Sequence, residues 1–357
     1  MAGLAKRGVF FTFLAILIVG VLLVSFLPRQ TFNYEARSPV ISARVNYANT
    51  YVKDVNSYVE QSLRVSGAAA LRALSELINK SAPNPGDSVV YLTEPQLRSY
   101  FKDLVLYGTY NDGKVKTIND SMRVNLMAGK TVNERILSLQ NLSSVFLHIN
   151  VSFENKSFDV GLFQSNYTGP FFVGVNITMN YTVNAGIVSW NRTNETVTTK
   201  VSIEGLYDPL YYKAYSSNSK SDQSWHLAVR AANYSSFNIT RLYYHIRDRR
   251  YNSNDNAPSF LQRFYNDFNP SSCCGIESTV NGTMTGFPSP VAEVYVDWCF
   301  YSTRCDGAKL WYVSPLTGSG AGKYGNFSLD TVHAAQVYNV TGCLYSDIVT
   351  NPFCTVG

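Results

Sequence analysis

Charge is scarce in this chain. Asp, Glu, Lys and Arg make up 15% of its 357 residues, and the formal net charge is only +5, with no long run of one sign. This leaves little support for a nucleic-acid partner, and none is expected. The densest patch, residues 241–250 with Arg247, Asp248, Arg249 and Arg250, reads as a solvated or ion-paired face. Cysteine is missing from everything before Cys273. Most of the chain must therefore hold its fold by burying apolar surface, for which its length suffices. No C-x2-C spacing exists and the four His are scattered, which argues against a structural zinc. G-x-S-x-G, H-E-x-x-H and catalytic-cysteine contexts are absent too. The phrase TGSGAGKYGN, residues 317–326, invites comparison with a phosphate loop. Thr317 stands in place of its first Gly and Tyr324 in place of the hydroxyl that would reach magnesium, so it reads as a Gly/Ser turn. No cofactor and no metal are expected.

What the chain does have begins at its N-terminus. Residues 9–27, VFFTFLAILIVGVLLVSFL, carry no charge. About nineteen residues rising 1.5 Å each span roughly the 30 Å of a bilayer's hydrocarbon core. Backbone groups in lipid must be satisfied internally, so the run predicts an α-helix. Lys6 and Arg7 precede it, which places the short N-terminus in the cytoplasm and the bulk of the chain outside, as a single-pass protein of the cell membrane. A cleaved secretory signal would have a shorter apolar region and an A-x-A-like site, which the following PRQTFNYEARSP does not supply. The partners expected for this helix are membrane lipid or neighbouring copies of the chain.

Two features mark the outside. Fifteen Asn-x-Ser/Thr triplets occur, at Asn79, Asn119, Asn141, Asn150, Asn155, Asn166, Asn176, Asn180, Asn191, Asn194, Asn233, Asn238, Asn281, Asn326 and Asn339. Chance placement gives about five, so the excess predicts N-linked glycans and, with them, surface positions. Asn/Thr-rich strands that generate such triplets incidentally are the alternative. The six cysteines, Cys273, Cys274, Cys299, Cys305, Cys343 and Cys354, all lie in the last quarter. An even number confined to one region of an exported chain reads as disulfides stapling that region. The adjacent pair Cys273 and Cys274 is expected to send its sulfurs to different partners.

Periodicity divides the remainder. Pro28 and Pro39 are expected to bracket a break after the membrane helix. Beyond them Ile41, Val45, Ala48, Val52, Val55, Val59, Leu63, Ala70, Leu74 and Leu77 recur at helical spacing, which predicts a long amphipathic helix with an interruption near Gly67. That stripe either packs on its own domain or forms a seam with another copy. SAPNPG at residues 81–86 ends it. Residues 94–107 and 132–142 read as helices, the second capped by Thr131. The period then becomes two: Val145, Leu147, Ile149, Val151 and Phe153; Phe158, Val160 and Leu162; Val173 to Val183 at alternate positions; and residues 196–203. One apolar and one triplet-bearing face predicts an antiparallel sheet solvated on its glycan side. A helical stretch at 260–268 and short strands at 292–300 and 309–313 follow. The expectation is an α+β protein with segments 1–30 (membrane helix), 31–82 (stalk helix), 83–206 (helical entry and antiparallel sheet) and 207–357 (a disulfide-linked mixed region).

Candidate chemistry is thin. His148, on a strand's polar face, and Glu204, Asp208, His226 and His245 stand singly, with nothing bracketing them. Asp330 and His333 lie three apart at an expected helix start, where Ser328 or Asp330 makes an N-cap; a metal pair at that spacing is the alternative. Paired catalytic carboxylates need no local signature, yet an enzyme is not the expectation.

The segment AKRGVFFTFLAILIVGVLLVSF resembles the class III signal of archaeal pilin-like proteins, in which a basic pair and a Gly precede the apolar helix. The resemblance implies cleavage between Gly8 and Val9, leaving the helix as the mature N-terminus and as the core of a filament. Further phrases, VSIEGLYDPLY at 201–211, SFLQRF at 259–264, GIES at 275–278, VYVDW at 294–298 and FSLDTVH at 327–333 followed by YNV at 338–340, are similar in that order to a family of archaeal membrane-anchored, type IV pilin-like glycosylated surface proteins. The family brings no catalytic residues. It implies a structural role, a filament subunit with a glycosylated head; a membrane-anchored monomeric adhesin or binding ectodomain is the alternative. The family commonly has one long N-terminal helix, from which the two expected proline breaks depart.

Overall fold

The computed structural model describes residues 3–80, 91–109, 126–154, 157–186, 188–210, 228–233, 245, 249–281, 294–298, 310–313 and 327–330. The chain is α+β. Helix α1 (Gly3–Lys80) is followed by α2 (Glu94–Tyr107), α3 (Val132–Leu142) and a π-helical turn at Ser143–Leu147. Strands β1 (Asn150–Phe153), β2 (Asp159–Phe163), β3 (Phe172–Asn184) and β4 (Ser189–Ser202) form one four-stranded sheet. β1 and β2 both run antiparallel to β3, with Val151 opposite Val183 and Leu162 opposite Val175. Three two-stranded antiparallel ribbons follow: β5 (Asn252–Ser253) with β6 (Ile276–Glu277), β7 (Thr279–Asn281) with β8 (Val294–Val296), and β9 (Leu310–Val313) with β10 (Phe327–Asp330). The short helix α4 (Phe260–Phe264) lies between β5 and β6.

The expected proline breaks do not occur. α1 runs 78 residues through both Pro28 and Pro39. A proline inside a helix removes one hydrogen bond and crowds the carbonyl four residues back, at about 3 kcal/mol. That penalty bends a helix, but it ends one only where the flanking sequence also stops favouring helix. Nor is there an interruption at Gly67: a Cβ there would come within 3.2 Å of Val201 Cγ2 and 3.3 Å of Val175 Cγ2. The glycine lets the helix approach the sheet closely instead of breaking it.

Two compact units make up the chain. In the first (Met1–Ser57, Gln140–Phe153 and Tyr181–Arg192), α1 buries Ala48, Tyr51, Val52 and Val55, while β1 and β3 bury Val151, Phe153, Tyr181 and Val183. Tyr51 Oη meets Ser143 Oγ, and Tyr181 donates to Asn56 Oδ1 at 2.8 Å. Farther toward the N-terminus, among the described side chains of α1, Leu17, Ile18 and Val19 are 50%, 52% and 55% exposed, and Ile41 and Tyr47 are exposed as well. Three successive helical residues sweep about 200° of circumference, so no single covered stripe exists at that level. The strand expected from Val145 starts later, at Asn150. Residues 143–147 close a π-turn on the His148 N–H to Ser143 carbonyl bond and leave Val145, Phe146 and Leu147 exposed, so their period-two spacing was fortuitous.

In the second unit (Tyr58–Leu139, Glu154–Asn180 and Thr193–Gly357), α1 buries Val59, Leu63, Ala70, Leu71, Leu74, Leu77 and Ile78. α2 buries Leu97, Tyr100, Phe101, Leu104, Val105 and Leu106. It starts at a capping box of Thr93 and Gln96 and stops at Gly108, whose left-handed φ of 70° a side chain would oppose. β2 and β3 supply Val160, Leu162, Val173, Val175, Ile177 and Met179, and β4 supplies Val197 and Val201. Thr131 caps α3 as expected, its hydroxyl accepting from the Glu134 N–H at 3.2 Å while the Glu134 carboxylate accepts from the Thr131 N–H at 3.1 Å. α4 joins the same unit through the Leu92 N–H to Phe264 carbonyl bond (3.1 Å) and the Leu261 N–H to Gln164 Oε1 bond (3.0 Å).

Candidate functional site

The densest chemistry is a buried ionic cluster in the second unit. Ser259 and Gln262 form a capping box that fixes α4. Phe260 and Phe264 share one side of it and meet edge to face at 5.3 Å. Arg263 is thereby carried inward and is wholly buried. Its Nη1 donates to Asp208 Oδ2 at 2.5 Å and to Asp297 Oδ2 at 2.7 Å, and its Nη2 donates to the Ile276 carbonyl. Asp208 also accepts from Tyr251 Oη at 2.8 Å and from the Leu210 N–H at 2.9 Å. Asp297 accepts from the Trp298 N–H at 2.7 Å. Glu277, buried as well, accepts from Asn254 Nδ2 at 2.8 Å and Trp298 Nε1 at 3.2 Å. His245 Nδ1 lies 3.1 Å from Asn252 Nδ2.

Burial lowers the Arg263 pKa, but Asp208 and Asp297 outweigh it and raise it above the ordinary guanidinium value. Burial pushes the Asp297 carboxyl up; Arg263 pulls it back, and Asp208 and Glu277 push it further, to about 6. Asp208, Asp297 and Glu277 are all 0% exposed. The cluster fixes backbone segments far apart in sequence in one arrangement. The hydrogen bonds of Arg263 with Asp208 and Asp297 are charge-assisted and geometrically demanding.

Four of the phrases singled out in the sequence meet here: 201–211 brings Asp208, 259–264 brings Arg263, 275–278 brings Ile276 and Glu277, and 294–298 brings Asp297 and Trp298. Asp208 and His245 were candidates singly; Arg263, Glu277 and Asp297 were missed. The signal that marks them is a charge flanked by apolar residues in a charge-poor chain, as in VYVDW and FLQRF.

The remaining candidates are dispersed. His148 caps the π-turn in the left-handed region at φ 52° and belongs to no strand. Asp330 ends strand β10, opposite Leu310, and Ser328 lies within that strand, where FSLD alternates with period two and finds a partner strand in β9; the residues after Asp330 lie outside the described set. Glu204 is exposed. His226, His333 and the Gly/Ser turn at 317–326 lie outside the described residues. Among the described residues no group of three or more His, Cys, Asp or Glu could hold a metal ion. Cys273 and Cys274 are bonded to each other, not to separate partners. A bridge between neighbours closes no loop, so it removes almost no unfolded-state entropy and staples nothing together. Cys299, Cys305, Cys343 and Cys354 lie outside the described residues.

Of the sequons, Asn141, Asn150, Asn166, Asn191, Asn194 and Asn233 are exposed, and Asn176 and Asn180 are half-buried. Asn176 lies across β2, where Gly161 leaves it room; a Cβ at 161 would sit 2.1 Å from its Oδ1. The hydroxyls of Thr178 and Thr196 meet across the sheet at 3.0 Å. The side chains of Asn79 and Asn281 lie outside the description, as do Asn119, Asn155, Asn238, Asn326 and Asn339 entirely. Gly8 and Val9 sit in the first turns of α1, their side chains undescribed. Among the described residues no helix is long and apolar enough to cross a membrane; the side chains of residues 9–16 and 20–27 fall outside that set. Comparison with protein-family models, curated proteins and solved structures finds no match to this chain.

Proposed function

We propose that the chain is a structural subunit of a cell-surface filament, held in the membrane by residues 9–27 before assembly and packed through the same residues afterwards. The observation that carries this reading is α1. One helix of 78 residues begins in an apolar run and ends inside a folded head. One face of its C-terminal part is buried from Ala48 onward, whereas Leu17, Ile18 and Val19 are half exposed. Apolar side chains on more than one face of a bare helix need an apolar surrounding, and lipid tails or neighbouring copies of the helix supply it equally well. Unbroken passage through Pro28 and Pro39 also brings the chain closer to the pilin-like pattern of a single long N-terminal helix.

The test is electron microscopy of material sheared from the native cell surface, with mass analysis of the mature N-terminus. Filaments built from a chain starting at Val9 support the proposal. A chain that keeps Met1 and is recovered only from detergent-extracted membranes overturns it in favour of an anchored binding ectodomain.

A further inference from the structure

We infer that N-linked glycans are added to the folded chain, at Asn150 and Asn191, and that Asn141, Asn166 and Asn180 stay bare although each lies in an intact sequon. The inference rests on the extracytoplasmic placement proposed above. A sequon is recognised through two groups, the Asn side-chain amide that takes the sugar and the hydroxyl two residues later. The transfer joins Asn Nδ2 to C1 of the first sugar of a lipid-phosphate-linked oligosaccharide. The C1–O bond breaks, the lipid phosphate leaves with its electron pair, and the nitrogen gives up one proton to a base on the membrane transferase that supplies the donor. Both recognition groups must therefore be reachable at the moment of transfer.

The fold sorts the sequons by that requirement. Asn150 and Ser152 are both exposed on β1, and Asn191 and Thr193 are both exposed on β4. The first half of β4 lacks the in-and-out alternation of a covered strand, residues 191–194 all being exposed, so a transferase meets open chain there. At Asn141 the partner hydroxyl belongs to Ser143, which is 1% exposed and engaged with Tyr51. At Asn166 it belongs to Thr168, 4% exposed, whose Oγ1 accepts from the Ser165 N–H at 3.0 Å and donates to the Ser165 carbonyl at 2.8 Å. At Asn180 the amide itself is held: Nδ2 donates to Glu154 Oε2 at 3.1 Å, and Oδ1 accepts from the Asn194 N–H at 2.8 Å. Its nitrogen cannot attack without breaking the contact that supports it. These three triplets are structural Asn, Ser and Thr residues that happen to spell an acceptor.

Glycopeptide mass spectrometry of the full chain, purified from its native cells, tests this directly. Glycan mass is expected on the peptides carrying Asn150 and Asn191, with unmodified Asn at 141, 166 and 180. Asn191→Gln is expected to lower the intact mass by one glycan, and Asn180→Gln to leave the glycan count unchanged. A glycan on Asn141, Asn166 or Asn180 would show that transfer precedes folding and overturn the inference, as would bare Asn at both 150 and 191. Because the N-terminus and the filaments are read separately on the same material, a chain starting at Val9 with bare Asn150 and Asn191 would sink this inference and leave the filament proposal standing.

Discussion

A single arginine carries the largest consequence at the scale of residues. Arg263 neutralises two buried carboxylates, and removing one partner of a buried ion pair costs about 3–5 kcal/mol because the remaining charge stays desolvated. Arg263→Met leaves Asp208 and Asp297 facing each other without a cation. The variant is expected to lose that stability at pH 7 and to regain part of it near pH 5, where a protonated Asp297 carboxyl no longer repels its neighbour. Thermal unfolding of the full chain in mild detergent at both pH values measures the difference, and an equal loss at both would refute the electrostatic account. Asp297 in the native protein has its own signature. Its carboxyl is raised to about 6 from an ordinary Asp value, so between those values the folded state binds more protons than the unfolded one. This group's contribution to stability is therefore greatest at the acid end of that window and falls as pH rises toward 6. Glu134 behaves oppositely. The Thr131 hydroxyl and backbone bonds hold its carboxyl low despite some burial, so its contribution is present above the ordinary Glu range and is lost as pH falls through the lowered value. Thr131→Ala is expected to cost about 1 kcal/mol and to move the Glu134 titration upward, as read by NMR. An unmoved titration would show that the cap is not its cause.

At the scale of elements, close approach matters more than propensity. Gly67 costs α1 about 1 kcal/mol of helix propensity against Ala, yet the sheet side chains leave no room for a larger residue there. Gly67→Leu is expected to destabilise by about 1–3 kcal/mol through overpacking. Denaturant titration of the full chain checks it, and an unchanged midpoint would mean that helix and sheet can separate freely. The start of α3 was legible in sequence because capping is local: Thr131 was read as its cap, whereas the Thr93 and Gln96 box that starts α2 was not read, although its spacing of three is equally local. The π-turn was not, because Val145, Leu147 and Ile149 alternate like a strand and only the bond from the His148 N–H to the Ser143 carbonyl reveals the widened turn. Strand β10 was not read for a related reason, since a four-residue segment carries too little period to choose without its partner β9.

For the whole molecule the exposed stretch of α1 decides behaviour. Ile18→Asp sets a carboxylate where apolar neighbours are proposed, at about 2.5–3.5 kcal/mol by membrane-insertion scales. The variant chain is expected to disappear from filaments while keeping the protease resistance of its head, because Ile18 lies far along α1 from the buried stripe that starts at Ala48. Filaments of normal yield would argue against an assembly role for this stretch.

Sequence alone determined the features that depend on short range or on composition: the α+β class, the apolar N-terminal run, the amphipathic stripe read from Ile41 to Leu77 and buried from Ala48 onward, most of the period-two strands and the polar, sequon-bearing surface. Each follows from a repeat of 3.6 or 2 residues, or from the cost of burying what cannot be paired. Only tertiary structure decided what depends on residues distant along the chain. It drew Asp208, Arg263, Glu277 and Asp297 into one buried cluster and brought Val175 and Val201 against Gly67. It also separated sequons with reachable groups from those whose groups hold the fold. A hydrogen-bond partner 30 or 90 residues away leaves no mark on local periodicity; it exists only once the chain has folded.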